Sequence, residues 1–498
     1  MKIIILGFCI LMIAGLSYAE FDLSWEYFYG GSNNDEIHHF VFTDDGGVLA
    51  TGYTESYGTG IWGKPDSWVI KFDAEGSIEW DATYGQPDSL DKAYFILETD
   101  GNYLVVGERK EDVVYGNGAG GVIFKIDADG NEIWNKKYGG SEGDMLRHIQ
   151  PVDSGGFITC GVTRSFGAGF IDGYVVKIDD DGNVEWQNNF GGQGYEVFKQ
   201  IYPTSDGGYI TSGYSNSDGF GSYDIWIVKL DISGNMEWEE RIGDAGSNRM
   251  HYFCPTSDGN YILTGETENA SEAMELFAMK IDPQANIIWE HIYPATVEGE
   301  GKYIEETFDG GFIISGSDSN SLSGPWQTDG WVIKIDENGE FMFDYFVHSG
   351  ASDVVHVVRQ LSAGTYIAAG GNMSYGSGMN DVWIMELTDT SVEVDDQQIS
   401  ISDFNLNNYP NPFNPTTTIS FSVAQTSSFV SLEIYNLKGQ KIKTLDCSNS
   451  LAAASKKMMH SIIWNGTDDN NKPVSSGIYF YKFETDDFQQ IKKMILMK

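Results

Sequence analysis

Acidic side chains recur in the sequence at spacings that could bind a cation. The aspartates that precede the third predicted strand of the repeats described below are Asp66, Asp172, Asp224, Asp329 and Asp381. The turns at 127–131 and 179–183 read DADGN and DDDGN, which are fragments of a calcium-binding loop. A calcium ion needs about six to eight oxygen ligands, and neither turn supplies the bidentate glutamate that completes such a loop. We therefore interpret these acids as turn-forming residues, with calcium as the alternative and no other cofactor.

Motifs that support covalent or metal-dependent catalysis are absent from the sequence. It has no nucleophile motif and no phosphate-binding glycine loop, and His38-His39 is the only adjacent pair among scattered histidines. Neighbouring side chains on a strand face opposite sides, so these two histidines cannot readily share a metal ion. Cys160 and Cys254 lie in strand-like runs and are interpreted as small buried apolar residues. We predict no catalytic residue and no metal site.

Aromatic residues recur in glycine- and serine-rich loops of the chain. The predicted ligand-binding residues are Tyr57, Trp62, Tyr115, Phe166, Phe170, Phe220, Trp326 and Tyr375. They lie beside serine, asparagine and aspartate, a mixture that can stack on sugar rings and bond their hydroxyls, or form a protein-binding surface. Packing of each ring within its own loop is the alternative.

A repeat of about 50 residues organises most of the chain and positions these side chains. Its markers are Trp25, Trp80, Trp134, Trp186, Trp238 and Trp289, with Phe343 in the same frame. Each unit contains four runs with period-two alternation, separated by Asp-Gly and Gly-Gly turns. The pattern predicts an all-β fold in which 20–390 form a seven-bladed β-propeller, with a linear β-solenoid as the alternative.

The two ends of the repeat array complement each other. The segment at 21–29 matches a fourth strand, whereas the last unit ends on its third strand. We therefore predict that 21–29 form the outer strand of the last blade, whose other strands lie within 353–388. In such a ring the loops between second and third strands, such as 55–65, share one face with the loops that connect successive blades. We call it the loop face, and its variable loops are the expected recognition surface.

The N-terminus and the net charge indicate where the protein is located and which partners it can bind. Residues 1–19 have the basic start, apolar core and small-residue ending of a secretory signal peptide, with an uncleaved anchor as the alternative. Formal net charge is -43, which argues against nucleic acid or an anionic membrane as a partner. No later stretch is long and apolar enough to insert into a membrane. We expect a protein that passes through the periplasm.

Two segments resemble known families. VIKFDAEGSIEW and IFKIDADGNEIW are similar to the repeat of quinoprotein propellers, which implies a propeller fold with a tryptophan between blades, although the adjacent cysteines of those enzymes are missing. Residues 409–498 resemble the sorting domain of type IX secretion cargo, and one part resembles the immunoglobulin-like domain of flagellar hook-capping proteins. The residues that match the sorting pattern are Asn411, Pro412, Asn414, Pro415, Gly439, Gly477, Tyr479, Lys492 and Lys493.

The sorting resemblance implies interaction with the type IX secretion machinery and export across the outer membrane of a diderm bacterium. Six alternating runs between 416 and 496 independently predict a small immunoglobulin-like β-sandwich, after a linker at 391–408. The leading hypothesis is a secreted or surface-attached, non-enzymatic propeller that binds glycan or protein through its loop face. The alternatives are a secreted enzyme, polysaccharide-active or a quinone-type oxidoreductase, and a structural surface-layer component.

Overall fold

A computed structural model describes most of the chain. It describes residues 21–58, 64–111, 118–295, 297–319, 328–347, 351–373, 378–390, 406–409, 415–423, 430–436, 440–445, 458–469, 472–485 and 489–496. The chain divides into one unit at 1–391 and a second at 392–498. In this described part no helix is long and apolar enough to cross a membrane. The predicted signal peptide lies outside the described residues.

Six four-stranded antiparallel sheets follow one another in chain order within the first unit. Blade 1 contains β2 (Asp35–Phe42), β3 (Val48–Thr54), β4 (Asp66–Phe72) and β5 (Ile78–Tyr84). Blade 2 contains β6 (Leu90–Thr99), β7 (Asn102–Lys110), β8 (Ala119–Ile126) and β9 (Glu132–Tyr138). Blade 3 contains β10 (Met145–Pro151), β11 (Phe157–Thr163), β12 (Asp172–Ile178) and β13 (Val184–Phe190).

The next three blades keep this order. Blade 4 contains β14 (Glu196–Pro203), β15 (Tyr209–Ser215), β16 (Asp224–Leu230) and β17 (Met236–Ile242). Blade 5 contains β18 (Asn248–Pro255), β19 (Tyr261–Glu268), β20 (Met274–Ile281) and β21 (Ile287–Tyr293). Blade 6 contains β22 (Glu298–Glu306), β23 (Phe312–Ser319), β24 (Thr328–Ile335) and β25 (Phe341–Val347).

Blade 7 joins the two ends of the first unit and closes the ring. Its strands are β26 (Asp353–Ser362), β27 (Thr365–Asn372), β28 (Asp381–Asp389) and β1 (Phe21–Tyr29). Strand β1 pairs antiparallel with β28, with Phe21 opposite Asp389 and Tyr29 opposite Val382. The predicted closing strand and the predicted number of blades are therefore confirmed for the described residues. This pairing places blade 1 directly beside blade 7, where the Asp35 N–H donates to the Asn380 carbonyl at 2.8 Å.

The marker tryptophans pack between blades. The Trp80 ring of blade 1 lies against Gly130 in the β8–β9 turn of blade 2, where a Cβ atom would come within 2.8 Å of the ring. Gly130 has φ +81°, a conformation that favours glycine, so the turn type and the close approach both require it. The Tyr84 hydroxyl donates to the carbonyl of the same glycine. An outer strand of one blade thus fixes a turn of the next.

The second unit consists of two sheets that pack around Trp464. One sheet contains β29 (Leu406–Tyr409), β30 (Thr417–Val423) and β33 (Met458–Trp464). The other contains β31 (Val430–Asn436), β32 (Lys441–Leu445), β34 (Gly477–Thr485) and β35 (Gln489–Leu496). The six predicted runs match within a residue or two at each end. An additional described strand, β29, pairs with β30, with Leu406 opposite Phe421.

Strand β1 should contribute strongly to propeller stability through Phe21. Its ring is 2% exposed and contacts Phe343 of blade 6 and Tyr366 of blade 7, at centroid distances of 4.7 Å and 5.4 Å. We expect Phe21→Ala to lower the free energy of unfolding of the propeller by about 3 kcal/mol, because it leaves a cavity at the closing seam. Urea unfolding followed by tryptophan fluorescence measures this change.

Leu23 on the same strand provides the matched control, since it is 38% exposed. We expect Leu23→Ala to change the free energy of unfolding by about 0.5 kcal/mol or less. Equal small effects of both substitutions would contradict the role given to Phe21.

Candidate functional site at the propeller axis

Every inner strand of the propeller carries a β-bulge at the same level. In β2, β6, β10, β14, β18, β22 and β26 the pairing register skips one residue, which is left without an opposite partner. We call these seven residues the axial ring: His38, Tyr94, Arg147, Lys199, His251, Lys302 and His356. Bulges redirect side chains and are common beside functional sites. Here they direct chemically active side chains toward the axis, where the seven inner strands converge.

Contacts between blades show that the axial ring is continuous. His38 of blade 1 stacks on Tyr94 of blade 2 at 5.3 Å, and it meets His356 of blade 7 edge-on at 5.2 Å. The Arg147 guanidinium of blade 3 lies 5.0 Å from the centre of the Tyr94 ring. All seven members are partly exposed although their strands are otherwise largely buried. The axial ring therefore keeps partial contact with solvent.

A layer of mostly buried aromatic rings lies beyond the axial ring on six of the seven inner strands, whereas β26 has Val357 next to His356. We call it the aromatic girdle, and its members are His39, Phe95, His148, Tyr202, Tyr252 and Tyr303. His39 stacks on Phe95 at 4.0 Å and also faces Tyr303 of blade 6 at 6.1 Å, so the contacts run across the axis. His148 continues the layer from Phe95 to Tyr202. The girdle fills the axis beneath the axial ring and gives the site an apolar floor.

Positive charges at the site have few acidic partners. Lys92, Arg147 and Lys199 make no ion pair within 4.0 Å among the described residues, and the Arg147 Nε is buried without a hydrogen-bond partner there. Lys92 lies 3.7 Å from the Tyr53 ring and Lys199 lies 5.5 Å from the Tyr214 ring. Burial, together with the charges of Arg147 and Lys302, holds the pKa of Lys199 well below its usual value. An anion at this position would relieve that repulsion.

Two carboxylates beside the axis are fully paired. Glu266 accepts from Arg249 at 3.1 Å, and Glu300 contacts Lys302 at 2.6 Å. Burial acts to raise the pKa of Glu266, but His251 and Arg249 outweigh it and hold that pKa at about 2. Burial likewise acts on Glu300, whose pKa is nevertheless lowered by Lys302 and His251. Both side chains are therefore ionised and acceptor-only at neutral pH.

The predicted ligand-binding aromatics divide into three groups. Phe170 and Phe220 are 72% and 70% exposed, and Phe170 stacks on Tyr195 at 5.6 Å. Tyr57 and Phe166 contact residues of their own blades, Trp68 and Tyr174. The remaining four lie outside the described residues: Trp62, Tyr115, Trp326 and Tyr375. Two of the eight, Phe170 and Phe220, are thus largely exposed in loops of the loop face.

The repeated aspartates hold loops in place. Asp224 Oδ2 accepts from the Phe220 N–H at 2.8 Å, and Asp381 Oδ2 accepts from the Gly378 N–H at 2.9 Å. Asp172 does the same for Gly169 at 3.2 Å. In the calcium-like turn at 127–131, Asp127 Oδ1 accepts from the backbone N–H groups of Asp129 and Asn131. These carboxylates are used in hydrogen bonds to their own turns, and calcium binding there stays a prediction.

The axial ring was missed at the level of sequence because its histidines look scattered. Five of the eight histidines lie on inner strands: His38, His39, His148, His251 and His356. The repeat nevertheless contains a pattern that marks these residues. Each member of the axial ring follows the marker tryptophan or phenylalanine of its repeat by thirteen or fourteen residues, as His38 follows Trp25 and Tyr94 follows Trp80. Aligning the units at that offset would have collected the seven residues. His38 contacts Tyr94 and His356, whereas His39 contacts Phe95 and Tyr303.

Several sorting residues are placed in the second unit. Tyr479 is buried, contacts Trp464 at 5.2 Å and donates to the Ser475 carbonyl at 2.7 Å. Gly477 begins β34, while Lys492 and Lys493 lie on β35. Pro415 is exposed ahead of β30. Asn411, Pro412, Asn414 and Gly439 lie outside the described residues.

Comparison with known proteins identifies the second unit. Residues 407–497 match the model of the secretion system C-terminal sorting domain. The chain carries a type IX secretion sorting domain. Such a tail directs the protein to the outer cell surface or into the medium. A comparison with curated proteins gives no match to the sequence.

Solved structures share the repeated β architecture at low identity. PorZ, a surface component of the type IX secretion system of Porphyromonas gingivalis, is 13% identical with a TM-score of 0.41, over 94% of this chain and 60% of that chain. The Pan2 WD40 domain of Neurospora crassa is 11% identical with a TM-score of 0.44, over 70% of this chain and 88% of that chain. This chain therefore spans less than two thirds of the PorZ chain, and these likenesses carry no functional conclusion.

The aromatic girdle makes propeller stability depend on pH through His148. Its side chain is fully buried, and desolvation lowers its pKa to about 3. In the unfolded chain His148 becomes protonated as the pH falls through about 6.5, whereas in the folded chain it stays neutral down to about pH 3. The free energy of unfolding is therefore highest above about pH 6.5 and decreases progressively as the pH falls toward about 3. We expect His148 to lower the free energy of unfolding of the wild type by about 1.4 kcal/mol for each pH unit of acidification in this range.

His148→Phe keeps a ring between Phe95 and Tyr202 and removes the titrating group. Urea unfolding at about pH 7 and about pH 5 should show that the variant loses about 2 kcal/mol less than the wild type. Identical losses in the two proteins would show that His148 is not held neutral.

Proposed function

We propose that the exported propeller is a non-enzymatic binding protein that takes a glycan or protein on its loop face, with an anionic group of the ligand at the axial ring. The observation that carries the proposal is a group of cations, Lys92, Arg147 and Lys199, that form no ion pair within the described part of the chain. The chain has only 30 lysines and arginines against 73 acids, so cations gathered at one place stand out from the surface. Charge-assisted hydrogen bonds to a carboxylate, sulfate or phosphate would pair them.

The loop face supports an acidic glycan as the first ligand class to examine. Phe170 and Phe220 are exposed rings on the loop face. Exposed rings bind the apolar faces of sugars, and the cations would select sugars that bear charge.

The state of the axial acids favours binding over sugar hydrolysis. A glycosidase needs one carboxyl group whose pKa is raised, so that it can donate a proton to the leaving oxygen. The pKa values of Glu266 and Glu300 are both lowered, because each is paired with cations. Neither can serve as that acid in this arrangement. The alternative of a polysaccharide-active enzyme therefore has less support than a binding role.

Glycan-array binding by the mature chain, with sulfated, uronic-acid and neutral glycans, tests the proposal. We expect binding to acidic glycans that weakens as salt rises, because the contact is electrostatic. Arg147→Gln and Lys199→Gln should each weaken binding about tenfold. Thermal melts confirm that the variants remain folded.

Lys136→Gln is the matched control, since it removes the same charge from the outer strand β9, where Nζ donates to Asn183 Oδ1 in the β12–β13 turn and not to the loop face. It should leave the affinity unchanged. Binding restricted to neutral glycans, an empty array, or equal losses in all three variants would contradict the proposed ligand class.

The sorting domain gives a separate prediction about export. Deletion of 406–498 removes the whole sandwich, including β29, and should leave the propeller folded but retained in the periplasm. Cell fractionation with a protease-accessibility assay measures the distribution. Surface exposure at the level of the full chain would show that export does not require this domain.

A further inference from the structure

We propose that Glu36, His38 and His356 bind one divalent transition-metal ion such as Zn²⁺ at the seam between blades 1 and 7. Glu36 and His38 lie on β2, and His356 lies on β26. One ligand atom from each of the three residues lies within 4.8 Å of the other two. The inference concerns the seam between blades 1 and 7, and it does not depend on the proposed ligand.

The distances suit a shared ion better than direct pairing. Glu36 Oε2 lies 3.3 Å from His38 Nε2 and 3.7 Å from His356 Nε2. The longer separation is outside hydrogen-bond range. Zinc bonds to nitrogen and oxygen are about 2.0–2.2 Å, so two ligand atoms on a tetrahedral ion are about 3.4 Å apart. Both separations are close to that value.

The tautomer of His38 leaves a lone pair directed at the carboxylate. His38 Nδ1 lies 2.7 Å from the Ala93 carbonyl oxygen, which can only accept, so Nδ1 carries the proton of the neutral ring. Nε2 then presents a lone pair toward Glu36 Oε2, and two acceptors face each other. A metal ion between them resolves this conflict. A backbone carbonyl on the far nitrogen is the usual support of a metal-binding histidine.

The other two ligands are also positioned for an ion. His356 Nε2 is buried and has no hydrogen-bond partner among the described residues. Glu36 uses its second oxygen, Oε1, to accept from Asn380 Nδ2 at 2.5 Å. That contact fixes the carboxylate with Oε2 toward the two imidazoles. Two imidazoles and a carboxylate form a donor set that suits zinc, copper, nickel or iron, with a coordination position left for water or a ligand.

A second triad near the axis provides the contrast. His251 Nε2 lies 3.8 Å from Glu266 and 3.7 Å from Glu300. Both carboxylates there are already paired with Arg249 and Lys302, whose charges oppose a metal ion. The Glu36 triad has two imidazoles and no lysine or arginine within ion-pair distance of its carboxylate among the described residues. Metal binding is therefore assigned to the first triad only.

Metal bound at this seam would stabilise the closed ring, because its ligands come from the first and the last blade. Binding only to the folded chain raises the melting temperature by mass action. We expect Zn²⁺ at about one hundred times its dissociation constant to raise the melting temperature of the metal-free mature chain by about 3 °C.

The experiment uses the mature full-length chain, stripped with chelator and titrated with Zn²⁺ by calorimetry, with melting curves in parallel. Glu36→Gln, His38→Ala and His356→Ala should each lose one equivalent of tight binding and most of the thermal shift, whereas the control His251→Ala should keep both. Co²⁺ substitution should give a visible d–d spectrum that His356→Ala abolishes. If an alanine variant does not fold, the asparagine variant at the same position replaces it.

Absence of binding by Zn²⁺, Co²⁺ and Ni²⁺ would overturn the proposal and leave Glu36 as the partner of a protonated histidine. Loss of binding in His251→Ala, with retention in the three triad variants, would also overturn it. The calorimetric titration measures Zn²⁺ binding without any glycan. A failure of the metal proposal is therefore distinguishable from a failure of the proposed glycan binding.

Discussion

The pairing of β1 with β28 is the constraint on which the rest of the propeller depends. It joins the N-terminal segment to the last repeat and places blade 1 beside blade 7. Phe21 then packs on rings from blades 6 and 7, which couples the closing strand to the hydrophobic core. Without this pairing the seven inner strands would have no common axis. His38 and His356, far apart in the chain, would not meet.

A second feature, the β-bulge in each inner strand, places polar side chains at an axis that would otherwise be a packed apolar core. Each inner strand is interrupted at one level, and the unpaired residue is polar or titratable in every blade. The next level is the aromatic girdle, which is mostly buried and closes the axis. Charged side chains therefore sit above an apolar floor, where electrostatic interactions are stronger than in open water. In a strongly acidic protein this is an unusual concentration of cations.

The fold could be predicted from the sequence because its signals are local or repeated. The tryptophan markers and the Asp-Gly turns predict the number of blades. The unmatched strand at 21–29 predicts how the ring closes. The alternating runs sufficed for the sandwich. The axial ring could not be predicted in this way, because strand periodicity assumes unbroken pairing. A bulge at His38 or Arg147 shifts the side chain out of the expected alternation, and the meeting of Glu36 with His356 depends on closure of the whole ring.

The most direct test asks whether closure of the ring creates a metal site at the axis. It is anomalous diffraction at the zinc edge from crystals of the mature chain grown with Zn²⁺. The result we predict is a strong peak about 2.0–2.2 Å from Glu36 Oε2, His38 Nε2 and His356 Nε2, with β1 paired to β28. A structure in which these three side chains are separated, or in which zinc is found only on acidic surface loops, would contradict it.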